Sequence, residues 1–124
     1  MKKIVLLLSL SCSFIARAQQ APLSEQMAQT VMNIWRDSLP VGAQNKWSYD
    51  MGVVLKGFEG IWMNTGNARY YDAIQKKMDW FIQNDGSIKG YEKEEYNIDH
   101  VNNGKLVLLL YRVTGKEKYK KAAD

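Results

Sequence analysis

A single cysteine in 124 residues leaves no internal disulfide, and no Cys/His cluster is spaced to hold zinc. Two prolines and nine glycines are too few for collagen, linker or low-complexity sequence. There is one histidine, no Gly-rich phosphate loop and no EF-hand or other metal-ligand spacing, so neither a cofactor nor a metal is expected. The longest apolar stretch, Ile4 to Ile15, is interrupted by serines and is too short for the roughly 20 residues of a bilayer-spanning helix. What is present is 46% hydrophobic and 24% charged, the composition of a folded helical chain.

The formal charge of +4 invites a nucleic-acid or membrane partner. Three of the 17 basic residues, Lys2, Lys3 and Arg17, fall within the first eighteen positions, which hold no acid. The other 14 face 13 acidic residues, so the body of the chain has no basic footprint for nucleic acid. Lys116 to Lys121, with Glu117 among them, reads as a solvated helix face. The first eighteen residues form an export signal: a basic start, an apolar core, then Ala16-Arg17-Ala18 as a small-x-small cleavage site. Cleavage would leave Gln19 first in a mature chain of residues 19–124, without cysteine, periplasmic or secreted and not membrane-bound. A lipoprotein anchored through Cys12 is the minor alternative, since Ser9-Leu10-Ser11 makes a poor lipobox.

The mature part reads as helical hairpins. Ser24 caps a first helix, with Leu23 as a staple and Met27, Val31, Ile34 and Trp35 on one face. Pro40 and Gly42 break it. A second helix spans about Tyr49 to Asn64, with Met51, Val54, Leu55, Phe58 and Trp62 at helical spacing, and Thr65-Gly66 stops it. The third, about Ala68 to Gln83, sets Tyr70, Ile74, Met78 and Phe81 in one stripe. A polar stretch from Ser87 to Asn97 leads to a fourth helix, about Asp99 to Val113, whose run Leu106 to Leu110 is apolar nearly all round. A fifth begins at Lys116 and continues to the end.

The motif Thr65-Gly66-x-x-x-Tyr70-x-x-Ala73 recurs as Thr114-Gly115-x-x-x-Tyr119-x-x-Ala122, and at the same offset Asp50 maps onto Asp99 and Trp47 onto Tyr96. A period of about 50 residues holding two helices is the signature of a hairpin array. Such arrays bury their apolar faces only against neighbours and need roughly three or more repeats, whereas this chain holds two and the start of a third, as a fragment would.

Trp47-Ser48-Tyr49-x-x-Gly52, Thr65-Gly66-x-x-x-Tyr70, Asp85-Gly86-x-Ile88, Tyr96-Asn97-Ile98-Asp99 with Gly104, and Leu110-Tyr111-x-x-Thr114-Gly115 occur in this order. As an ordered set they resemble the N-terminal part of glycoside hydrolase family 105, the unsaturated rhamnogalacturonyl hydrolases, which is related to the family 88 unsaturated glucuronyl hydrolases. The resemblance implies an all-α fold in which residues 19–124 form the first part of an (α/α)6 toroid, incomplete in this chain. It also implies an enzyme that removes the unsaturated uronyl residue from pectin (rhamnogalacturonan) oligosaccharides by acid-catalysed hydration of the C4=C5 double bond.

By the same resemblance Asp99 matches the first of two active-site aspartates, a supporting carboxylate. The proton donor would fall on the order of 50 residues further along, beyond Asp124. A carboxylate at a helix start favours its anionic form, which suits an orienting role; the plain alternative is an N-cap. Tyr49 matches a substrate-contacting tyrosine. Trp47 is equally a stacking platform or a packing residue, and His100, beside Asp99, is a further candidate substrate contact. Asn102 and Asn103 read as helix-surface residues. A short, non-catalytic helical module binding carbohydrate or peptide through the same aromatic mouth is the alternative function.

Overall fold

The computed structural model describes residues 20–37 and 46–124. The expected export signal at residues 1–18 with Cys12, the position of Gln19, and the break at Pro40 and Gly42 lie outside them. The described chain is helical throughout: α1 (Leu23–Asp37), α2 (Tyr49–Thr65), α3 (Ala68–Phe81), α4 (Ile98–Val101), α5 (Gly104–Thr114) and α6 (Glu117–Ala123), with a short 3-10 turn at Lys93–Glu95. Helices α2 and α3 form one antiparallel hairpin and α5 and α6 begin the next, while α1 packs on α2 and α3 on α5. This is a helical-hairpin portion of an α/α toroid. Among the described residues the only sheet-like pairing is an isolated antiparallel bridge between Ile82 and Ile88.

The repeat is exact at the level of hydrogen bonds. Gly66 and Gly115 both take the left-handed conformation, with φ of 67° and 66°, and each donates its N–H to the carbonyl four residues back at 2.8 Å. The preceding threonine hydroxyls bond back to Ile61 O and Leu110 O and accept from the N–H two residues ahead. Tyr70 and Tyr119, one period apart, are both completely buried. A buried phenol must find a partner. Tyr70 donates to Glu25 of α1 at 2.8 Å, and Tyr119 to Asp79 of α3 at 2.7 Å. Each hairpin is thereby bonded to a carboxylate some 40 to 45 residues earlier.

Tyr119 makes the alkaline behaviour predictable. Burial first, and then the Asp79 carboxylate, hold its hydroxyl protonated well above the usual tyrosine range. An acid whose folded pKa is raised keeps its full stabilisation below its unfolded value of about 10 and loses it as pH rises further. Thermal melts should therefore show stability falling above about pH 10. Tyr119→Phe should flatten that fall while costing about 1 kcal/mol at neutral pH through the lost hydrogen bond.

The core joins Trp47, Leu55, Phe58, Tyr70, Ile74, Met78, Phe81, Leu106, Leu110 and Tyr119, so the α2 and α3 stripes fall where the periodicity places them. Three expectations change. The start of α1 is set by Pro22, whose carbonyl accepts from Glu25 and Gln26, and Ser24 lies inside the first turn rather than capping it. The buried centre of α1 is Ala28, while Met27 and Ile34 are 62% and 49% exposed, because the helix leans on α2 through its Ala28–Val31–Trp35 edge. Finally, the expected helix from Asp99 to Val113 is two helices, divided at Asn102 and Asn103.

Candidate functional site

The starts of α2 and α4 lie side by side at one end of the hairpins. Ser48 and Asn97, one period apart, are the N-cap residues of these helices. The Ser48 hydroxyl bonds the Asp50 carboxylate, and this bond chiefly holds Asp50 below the ordinary carboxylate range. Three side chains cross the gap. Trp47 Nε1 donates to His100 O at 2.8 Å, Asn102 Nδ2 to Tyr49 O at 3.3 Å, and Asn103 Nδ2 to Ser48 O at 3.1 Å. Trp47, Tyr49, Asp99 and His100 are thus gathered at one end, although about 50 residues separate the two segments.

Their environments differ sharply. Asp99 is exposed, one residue beyond the first turn's start, and its backbone N–H donates to Asn97 Oδ1 at 3.0 Å. Capping belongs to Asn97, so the N-cap reading of Asp99 is corrected: the fold makes no use of its carboxylate among the described residues. Tyr49, the first residue of α2, is 53% exposed, open to a ligand at the same end.

Trp47 is 3% exposed, meets the edge of Phe81 at 5.5 Å between ring centroids, and spends its N–H on His100 O. In this structure it packs. Its repeat mate Tyr96 is 90% exposed with φ of 48°, so the aromatic match at that offset carries no shared environment. His100 is half-buried, edge-on to Tyr91 at 6.4 Å, with Nδ1 3.5 Å from Glu95 Oε2 and no hydrogen bond made. Both Trp47 and His100 line two clefts of about 350 and 360 Å³, the first closed by Tyr91, Leu108 and Ala122, the second by Lys46, Trp80 and Lys89. Neither cleft reaches Tyr49 or Asp99. No group of three or more His, Cys, Asp or Glu residues among the described ones could hold a metal ion. No helix of the described residues is long and apolar enough to cross a membrane.

Asn102 and Asn103 are the residues that sequence reasoning misplaced. Asn103 is fully buried, not on a helix surface, and Asn102 is half-buried against α2. The signal was present as Asn102-Asn103-Gly104, a turn-forming triplet inside an otherwise helical pattern. Gly52 accounts for the fit: a Cβ there would lie 2.1 Å from Asn103 Oδ1 and 2.8 Å from Asn102 Nδ2.

Comparison with known proteins bears on this arrangement. The family model for glycosyl hydrolase family 88 matches residues 23–124. Among solved structures, the chain is similar to a family 105 glycoside hydrolase of C. acetobutylicum ATCC 824, with a TM-score of 0.69 and 42% sequence identity. That match covers 82% of this chain and 27% of the other, so the chain spans about a quarter of that protein's length.

Proposed function

Because this chain belongs to glycosyl hydrolase family 88, we propose that it forms part of an exported enzyme that removes a terminal unsaturated uronyl residue from rhamnogalacturonan oligosaccharides. The observation that carries this reading is the 42% identity to a family 105 glycoside hydrolase. The exposed Asp99 and Tyr49 at one end of two clamped helices support it. The substrate's ring oxygen and C4=C5 double bond form an enol ether. A carboxylic acid delivers a proton to C4, the positive charge develops at C5 and the ring oxygen, and water adds at C5. Water loses a proton as it adds, and the resulting hemiketal opens by breaking the bond from C5 to the ring oxygen, leaving a C5 ketone and a C1 hemiacetal. That hemiacetal collapses to an aldehyde as its bond from C1 to the remaining sugar breaks, and the sugar departs with its hydroxyl restored.

In this scheme Asp99 orients the water and the uronate electrostatically, and Tyr49 supplies ring contact and a hydroxyl donor. The proton donor is a second aspartate in the following hairpin, about 50 residues on by the repeat. A proton donor working near neutral pH needs a raised pKa, while an orienting carboxylate must stay ionised. Asp99, exposed at the open end of the two helix starts, is free of fold contacts among the described residues and is assigned the orienting task. The 124-residue chain alone is then expected to be inactive.

Incubating the full-length protein with an unsaturated rhamnogalacturonan disaccharide should bleach the double bond's ultraviolet absorbance. No bleaching there, with turnover of an unsaturated glucuronyl disaccharide, would move the substrate to the other sugar class. Export is tested separately: intact-mass measurement of a periplasmic extract should show a mature N-terminus at Gln19, and retention of Met1 would refute the signal.

A further inference from the structure

We propose that Asn103, assisted by Asn102, is a positioning residue of this site: the two carboxamides clamp the helix start that carries Tyr49 to the segment that carries Asp99. The kinetic part of the proposal rests on the functional reading above; the geometric part does not. Asn103 is completely buried, where a polar side chain is costly unless its bonds are made. Its Nδ2 donates to Ser48 O, and Asn102 Nδ2 donates to Tyr49 O, the carbonyls of the cap and first residue of α2. The Ser48 carbonyl also receives the first helical bond of α2, from Gly52 N–H, stretched to 3.5 Å. Asn103 therefore shares the acceptor that starts the helix. Trp47 closes the same joint through His100 O. Gly52 provides the space, since any Cβ there would occupy the place of the amides.

A leucine at Asn103, branched at the same carbon though larger, would bury more apolar surface with no polar group to satisfy. The chain instead carries an amide whose Oδ1 is buried and lacks a hydrogen-bond partner among the described residues. That choice sacrifices stability and gains direction. Apolar helix contacts tolerate small slides, whereas hydrogen bonds to two successive carbonyls define the register between the α2 start and α4. Site residues must be held to about 0.5 Å, and a displacement of roughly 1 Å can cost about 10²-fold in rate.

The test uses the full-length protein with Asn103→Leu and Asn102→Ala. Two quantities are read: kcat and KM on the unsaturated rhamnogalacturonan disaccharide, and the hydrogen-exchange rate of the Trp47 indole N–H by nuclear magnetic resonance. Asn103→Leu should fold, lose about 10- to 100-fold in kcat with a smaller change in KM, and exchange its Trp47 indole proton at least about 10-fold faster. Asn102→Ala should move both readouts in the same direction by less. A folded Asn103→Leu protein with wild-type kcat overturns the proposal. If the wild-type protein does not turn over this disaccharide, the substrate reading has failed and indole exchange decides: faster exchange supports the clamp and wild-type exchange overturns it. If Asn103→Leu does not fold, Asn102→Ala is judged by the same criteria.

Discussion

Asp99→Asn is expected to lower turnover of an unsaturated rhamnogalacturonan disaccharide by about 10²–10³-fold, the usual cost of one preorganised electrostatic contact. Its folding should be nearly untouched. Asn97, not Asp99, accepts the helix-start N–H at 3.0 Å, and the exposed Asp99 carboxylate is bonded by no described residue. Replacing it by an amide of the same size therefore changes charge alone, and exposed substitutions of this kind stay within about 0.5 kcal/mol. The informative companion is Asn97→Ala, which removes the cap at a cost of about 1 kcal/mol while leaving the carboxylate in place. Kinetic assays run beside circular-dichroism melts should separate the two: Asp99→Asn stable and slow, Asn97→Ala less stable and fast per folded molecule. Near-full activity in folded Asp99→Asn would remove Asp99 from the site.

Gly52→Ala should destabilise the protein by about 2–4 kcal/mol. The added methyl would overlap Asn103 Oδ1 at 2.1 Å and Asn102 Nδ2 at 2.8 Å. Relief requires both amides to leave the carbonyls of Ser48 and Tyr49. Overpacking costs about 1–3 kcal/mol and each lost hydrogen bond about 1, against which alanine's better helix propensity returns up to about 1. Gly57, five residues on in the same helix, is the matched control: a Cβ there meets nothing within 4 Å. Gly57→Ala should stabilise by about 0.5–1 kcal/mol. Opposite shifts in melting temperature from the same substitution in one helix would isolate the contact with the amides, and equal shifts would dismiss it.

Much of the architecture follows from local signals. The ends of α2 and α5 are decided by Thr-Gly pairs, because a glycine can take positive φ and a threonine hydroxyl can bond back along the helix. The stripes Leu55–Phe58 and Tyr70–Ile74–Met78–Phe81 follow from apolar residues three and four apart, which must share a face. The 49-residue offset exposes the hairpin repeat for the same reason: each copy carries its own stop signal and its own buried tyrosine.

The sequence by itself therefore determined the helical class, the hairpin period, and the ends of α2 and the faces of α2 and α3, each of which depends on residues within a turn or two of one another. Only the tertiary structure decided which polar residues are buried. Asn103 reads as a surface residue until the Ser48 carbonyl, 55 residues earlier, is brought to 3.1 Å. Trp47 reads equally as platform or core until Phe81 and His100 close around it. The plain N-cap alternative for Asp99 falls only when Asn97 is found doing that work. The edge that α1 turns inward belongs with these, since Met27 and Ile34 are as apolar as the residues that pack. Periodicity records which residues share a face and contains no information about the partner that face will meet, so contacts across 50 residues emerge only when the helices are assembled.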